Sequence, residues 1–299
     1  MNTDLETGIV DPSGNGRLGI ESWLSELCTG RHLTEKSRSV VVALGQQPRV
    51  ASYSGAHHVA QLAAVNVATV TRTAQALGFT GWPSLQRELR QRYLSSLSNV
   101  ELSESHEGKS SSKSISSLRQ DRDELSIALR DIDESKIHEI AETIAGANRT
   151  FVVTAGSYVA VAYALTHNAK LAGYPVELIG EGTALFNALA RLAPGDVLFA
   201  IGFWRPYRDI VSAVRYARAN GVRVCALTDS ATGPLASAAD ELLVVTAEGV
   251  GFFPSLTSAM AVVQAVCVEL STINKEITRA SLERHSANLS MLHLVEKET

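Results

Sequence analysis

Two groups of side chains in this 299-residue chain have types and spacing suited to chemistry. The first is Asn66, Val67, Thr69, Thr71, Arg72 and Gln75, which crowd short and hydrogen-bonding groups into one stretch. Arg and Gln are the side chains that read guanine and adenine edges in a DNA major groove. The second group is Arg205 and Arg208, in and just after Gly202-Phe203-Trp204-Arg205-Pro206-Tyr207. Guanidinium forks suit a carboxylate or a phosphate. Ser157 and Thr228, at the ends of two other apolar runs, add hydroxyls, and Trp204 adds bulk.

Other chemistries find less support. Cys28, Cys225 and Cys267 are far apart and show neither CxxC nor Cys/His spacing, so no disulfide framework and no metal site are expected. The stretch TAGSYVA lacks GxGxxG, so no dinucleotide cofactor is expected, nor any other. An aldose–ketose isomerase, the alternative from another class, needs a base to move a proton between adjacent carbons. His167, Glu181 and Glu248 are the candidates, and nothing in sequence pairs them with an acid partner. The expectation is a chain that is not an enzyme. No apolar run approaches the roughly 20 residues of a membrane span. The first twenty residues carry Asp4, Glu6 and Asp11 with no apolar signal core, so a cytoplasmic chain without a membrane partner is expected.

The first group needs a pair of helices to present it. In AHHVAQLAAVNVATVTRTAQALGF (56–79), a helical stretch breaks at Val65-Asn66 and a second ends at Gly78. Asn66 is a favourable N-cap and Gly78 a natural terminator. Val59, Leu62 and Ala63 form one apolar face and Val70, Ala74 and Leu77 another, while small Ala60 and Ala64 allow close approach. The pattern fits a DNA-reading helix pair or a plain helical hairpin with a polar surface. The charge is uneven. Residues 20–95 hold eight Lys and Arg against four Asp and Glu, and residues 96–299 hold eighteen against twenty-four, within a net charge of -4.

The second group needs a sheet. FVVTAG (151–156), PVELIG (175–180), DVLFAIG (196–202), VRVCALTD (222–229) and ELLVVTA (241–247) are β-branched-rich runs of strand length. The first four are separated by helical patterns, which implies a parallel sheet with both faces covered. Ligands collect beyond the carboxyl ends of such strands, here the loops starting at Gly156, Gly202 and Asp229. Before this region, SSLSNVELSESHEGKSSSKSISS is serine-rich and nearly empty of large apolar residues, hence read as a linker. A helix from Leu118 to Ala145 is expected after it. The expected organisation is an all-α helix-turn-helix domain (20–95), a linker (96–117), an α/β domain with a helix-flanked parallel sheet (118–275) and a C-terminal tail (276–299).

The order AxxxxVNxATVxRxxxxLGFxGWPSLQ resembles the helix-turn-helix of the RpiR family of bacterial sugar-responsive regulators. The resemblance runs from Leu33 to Leu94, including LTEKSR and GFTGWPSLQRELR. Where that family usually has serine at the cap, this chain has Asn66, which preserves the capping chemistry. Arg87, Arg90 and Arg92 on the following helix contact phosphates or are simply solvated. Residues 130–272 resemble the SIS (sugar isomerase) domain, a phosphosugar-binding module, through FVVTAGSYVAVAYALTHNAKLAGYPV, PGDVLFAIG, IVSAVRYARANGVRV and ALTDSATGPLASAADELLVV. SIS domains that bind phosphosugars usually carry SxSGxT after the central strand, and here GFWRPY replaces it. The implied cradle of hydroxyls and amides is lost, and Pro206 removes a donor.

The resemblance implies a transcription regulator of carbohydrate or related catabolic genes. Its partners would be double-stranded operator DNA, a small anionic metabolite such as a sugar acid or sugar phosphate, and further copies of itself as a dimer or tetramer. Arg205, with Arg208, Ser157, Trp204 and Thr228, would hold the metabolite; alternatively the arginines support the loop or face a partner copy. Phe252, Phe253 and Ser255 close that pocket or belong to the core.

Overall fold

The computed structural model describes residues 15–105 and 113–291, and the chain divides into two compact units, Met1–Lys109 and Ser110–Thr299.

The first unit is all helical. α1 (Asn15–Cys28) buries Ile20, Trp23 and Leu24, the i, i+3, i+4 spacing of a helix with one apolar face. α2 (Glu35–Gln46) starts where the Thr34 hydroxyl accepts the Ser37 N–H at 3.2 Å. α3 (Pro48–Tyr53) follows, with proline at its first position, where a missing N–H costs nothing. α4 (Ala56–Leu62) and α5 (Val67–Ala76) are the expected helix pair, and Asn66 Oδ1 accepts the Thr69 N–H at 2.8 Å. Val59, Val70, Ala74 and Leu77 meet Val40 and Leu44 of α2 in a core completed by Trp82, Leu85 and Leu89 of α6 (Trp82–Ser96). Gly78 terminates α5 at φ 93°, and Arg31 Nη1 donates to the Ala76 carbonyl at 2.7 Å, satisfying one of the acceptors that every helix end leaves open.

Ala64 is not at the close approach of the two helices. It is exposed in the turn between them, at φ 51°, a left-handed conformation rarely adopted by residues with a Cβ. Ala64→Gly is therefore expected to stabilise this unit by roughly 0.5–1 kcal/mol, the left-handed strain relieved less the entropy that glycine loses on folding. Thermal denaturation showing no gain would contradict this.

The serine-rich stretch read as a linker is helical at both ends. α7 (Asn99–Ser105) begins with a reciprocal capping box, Ser98 N–H to Glu101 Oε2 at 2.7 Å and Glu101 N–H to Ser98 Oγ at 3.2 Å, and its Leu102 is fully buried. α8 (Lys113–Asp131) opens the second unit inside the same stretch; positions 106–112 lie outside the described residues. The single helix expected from Leu118 to Ala145 is two. Asp133 Oδ1 accepts the Ser135 N–H at 3.0 Å and so starts α9 (Glu134–Gly146) afresh.

The second unit holds a five-stranded, all-parallel sheet in the order β2-β1-β3-β4-β5. β1 (Thr150–Val153), β3 (Val197–Ile201) and β4 (Arg223–Thr228) are almost wholly buried, whereas of the edges β2 (Val176–Ile179) is buried only at its two ends and β5 (Glu241–Val244) alternates. Val152 of β1 lies opposite Leu178 of β2 and Phe199 of β3. The connections are α10 (Val159–Leu171), α11 (Thr183–Leu189) and α12 (Arg208–Ala219). α11 and α12 cover one face, packing Leu185, Ile210, Ala213 and Val214 on Phe151, Leu198, Ala200 and Val224. On the other face α9 and α10 pack with α13 (Thr257–Ile273). The expected C-terminal tail is also structured: α14 (Lys275–Met291) packs on α10, with Thr278 Oγ1 donating to the Ala172 carbonyl at 3.2 Å.

Candidate functional site

α5 buries Val70, Thr73, Ala74 and Leu77, which fixes what its other side presents. Arg72 and Gln75 are exposed on that side, as are Asn66 and Val67 at the start. Thr69 is not available in the same way: its hydroxyl donates to Asn66 Oδ1 at 2.8 Å and so belongs to the cap. Thr71 is half-buried, its methyl directed towards Gly81. Ala68, absent from the sequence-based set, is exposed one turn before Arg72. Helical spacing from Arg72 and Gln75 would have found it, and a small apolar side chain there suits a thymine methyl.

Arg90 and Arg92 of α6 have other work. Arg90 Nε donates to the Ser52 carbonyl at 2.9 Å, and its guanidinium lies 4.7 Å from the centre of the Tyr53 ring. Arg92 pairs with buried Glu88 at 3.3 Å and stacks on Trp23 at 4.5 Å. Both tie helices together, a role that differs from the expected phosphate contact or simple solvation. Among the described residues no helix is long and apolar enough to cross a membrane.

In the second unit the carboxyl ends of β1, β3 and β4 converge as the sheet order requires. Gly156, at φ 63°, follows β1, and its N–H donates to Glu181 Oε1 at 3.1 Å. After β3, Trp204 stands at φ 53° with its ring buried, 6% exposed, and its N–H donates to both Asp229 oxygens at 3.1 and 3.0 Å. Tyr158 donates its hydroxyl to the Phe203 carbonyl at 2.8 Å. Burial pushes the Tyr158 phenol far above its usual range, helped by the negative charge of Asp229 and opposed by Arg205. The Tyr207 hydroxyl lies over Gly156, 3.1 Å from where a Cβ would stand, and at φ 63° any side chain there would be strained.

Of the sequence-predicted ligand residues, Ser157, Arg205 and Arg208 are exposed around these strand ends, Arg208 as the first residue of α12. Thr228 is 4% exposed as the last residue of β4, and Trp204 is likewise inside, so these two support the loops rather than line an open surface. Glu181, Asp229, Tyr158 and Tyr207 complete the arrangement and were not among the predicted ligand contacts. Asp229 closes the VRVCALTD run, which is the one signal the sequence offered for it.

Beyond β5, Ser255 Oγ donates to Asp121 of α8 at 2.7 Å, and its N–H to the Ala247 carbonyl at 3.0 Å. Phe252 and Phe253, 45% and 66% exposed, stack 4.0 Å apart and are not core residues. Glu124 of α8 is 3% exposed and accepts from Gln120 Nε2 at 2.9 Å. Burial raises its carboxyl pKa, Thr246 opposes this, and the neighbouring charge of Glu248 adds to it. A carboxyl raised in the folded state binds its proton more tightly there than when unfolded, so the stability it contributes falls as pH rises above its unfolded value of about 4.3. Glu124→Gln should thus raise the melting temperature at pH 7–8 and leave it unchanged near pH 4. Equal destabilisation at both would contradict this.

A cavity of about 570 Å³ lies at the opposite, amino ends of the strands, lined by Thr143, Asp196, Arg223 and Glu241 among others. Two of its charges are paired: Arg223 with Glu241 at 2.6 Å, and Asp196 with Arg149 at 2.7 Å. Among the described residues no group of three His, Cys, Asp or Glu is placed to hold a metal ion.

Residues 28–96 match the family described as a helix-turn-helix domain of the rpiR family, and residues 143–269 match the SIS domain. The regulator HexR of Pseudomonas aeruginosa is 27% identical over 228 residues, 73% of this chain and 74% of HexR. The sugar isomerase domain of an RpiR transcription factor from Sphaerobacter thermophilus is 32% identical with a TM-score of 0.56, covering 58% of this chain and 97% of that one. The Vibrio vulnificus NanR protein, solved with ManNAc-6P, has a similar fold at 20% identity, with a TM-score of 0.58 and coverage of 91% of this chain and 98% of NanR.

Proposed function

Since this chain belongs to the RpiR family and is a DNA-binding transcription regulator, we propose that α5 reads its operator and that the strand ends of the sheet domain bind a small anionic metabolite. The carrying observation is the exposed row of Ala68, Arg72 and Gln75 on a helix capped at one end by Asn66 and clamped at the other by Arg31. A short rigid helix with two base-reading side chains and a small apolar one is what direct readout in a major groove needs.

The metabolite is held by Arg205 and Arg208, with Ser157 beside them. Of the candidate bases, His167 is stacked on Tyr163 at 5.9 Å and Glu181, at the strand ends, is already bonded to the Gly156 N–H, which supports a sensor rather than an isomerase. The chain acts as a homo-oligomer, because two-fold protein symmetry matches a palindromic operator. Metabolite binding shifts DNA affinity by as much as the metabolite discriminates between the DNA-bound and free states.

Selection of duplexes from a random pool by the purified chain tests the reading directly. It should return a palindrome, and a screen of sugar acids and sugar phosphates should find a compound that alters binding to it and acts more weakly on Arg205→Ala. A pool that stays random overturns the assignment of α5.

A further inference from the structure

Main-chain N–H groups at the carboxyl ends of parallel strands are what such a sheet offers to an anion. In this chain two of them are already bonded to carboxylates of the protein. The Gly156 N–H is bonded to Glu181 and the Trp204 N–H to both oxygens of Asp229. β1 and β3 are adjacent, with β2 on the far side of β1, so the two amides border the crevice where the sheet order reverses. The geometry is not casual. Trp204 holds a left-handed φ of 53° with its ring buried, which aims its N–H at Asp229, and Pro206 two residues on has no N–H to add.

We propose that Asp229 and Glu181 are internal occupants of the anion positions, so that the crevice rejects phosphate and selects a polyhydroxylated monocarboxylate. A phosphate dianion would find both amides taken and would set two negative charges beside Asp229 and Glu181, where a monocarboxylate sets one. A sugar acid meets the opposite situation. Its hydroxyls are donors, and a carboxylate is an acceptor with two oxygens and about four lone-pair sites, so each can take further donors while keeping its amide. The single carboxylate of the ligand goes to Arg205, which is exposed and directly follows Trp204 in the loop that borders the crevice. Asp229 and Glu181 are then the residues that set which sugar derivative is sensed.

The proposal rests on the strand ends being the effector site, and its test separates the two. Full-length wild type, Asp229→Asn, Glu181→Gln and Arg205→Ala would be titrated calorimetrically with glucose 6-phosphate, inorganic phosphate and gluconate at constant ionic strength. Asn and Gln retain an oxygen for the amide, so folding, checked by circular dichroism, is expected to persist. Wild type should favour gluconate over glucose 6-phosphate, and Asp229→Asn should bind glucose 6-phosphate about tenfold tighter or more than wild type. Wild type preferring glucose 6-phosphate, or no gain of phosphate binding in either variant, overturns the proposal and leaves the effector site in place. Binding that ignores Arg205→Ala as well as both carboxylate variants overturns the effector site itself.

Discussion

An Arg72→Ala chain is expected to lose sequence-specific DNA binding while folding as the wild type does. Arg72 is exposed on α5, and the residues that hold the helix, Val70, Ala74 and Leu77, are on its other side. Neither the Asn66 cap nor the Arg31 clamp involves it. A bidentate arginine on a guanine is worth about 1–3 kcal/mol of discrimination, so each recognition helix should lose that much on its selected site. Fluorescence anisotropy on the selected duplex and on a scrambled one reads this, with the scrambled duplex losing far less. Equal affinity for the selected duplex before and after substitution would remove Arg72 from the readout.

Trp82→Ala should abolish binding by a different route, destabilising the helical unit by about 3–5 kcal/mol, as large aromatic truncations in cores do. Trp82 is 4% exposed at the start of α6 and packs in the cluster that holds Leu85 and Leu89. Among the described residues its indole Nε1 has no hydrogen-bond partner, so packing rather than polar contact secures it. A loss of this size is comparable to the whole stability of many small domains. Thermal unfolding followed by helical circular dichroism should therefore show part of the signal melting early, with the sheet unit retained. An unchanged profile would mean that the surrounding helices collapse onto the gap, contrary to the close packing here.

The same residue explains why the helix-turn-helix was so legible. In Gly78-Phe79-Thr80-Gly81-Trp82 each large or glycine position has a local physical duty. Gly78 ends α5 at positive φ, Phe79 meets Trp23 edge-on at 6.5 Å, Gly81 is buried near the Thr71 methyl, and Trp82 enters the core. Caps and terminators act within a few residues and leave a trace in the sequence. The strands were legible for a similar reason, since runs such as VLFAI are too short and too β-branched to be anything else.

What escaped the sequence reading depends on partners remote in the chain. Asp229 meets the Trp204 amide across 25 positions, as Glu181 meets that of Gly156, and no spacing rule links them. Arg90 looked like a surface cation until Ser52 and Tyr53, on another helix, came beside it. The break before α9 was a milder failure, because Asp133 is an ordinary capping residue hidden among the charges of RDIDESK.

The order of strands across the sheet also sets an order in time. The helices of the first unit are bonded locally and can condense as soon as they leave the ribosome. β1 cannot do the same: one of its two neighbours, β3, is synthesised only after α10, β2 and α11. Until then the apolar Phe151-Val152-Val153 segment has an unpaired edge, the kind of surface on which nascent chains aggregate. Slowing translation or lowering chaperone supply should therefore trap this protein with its DNA-reading half formed and its sensing half not.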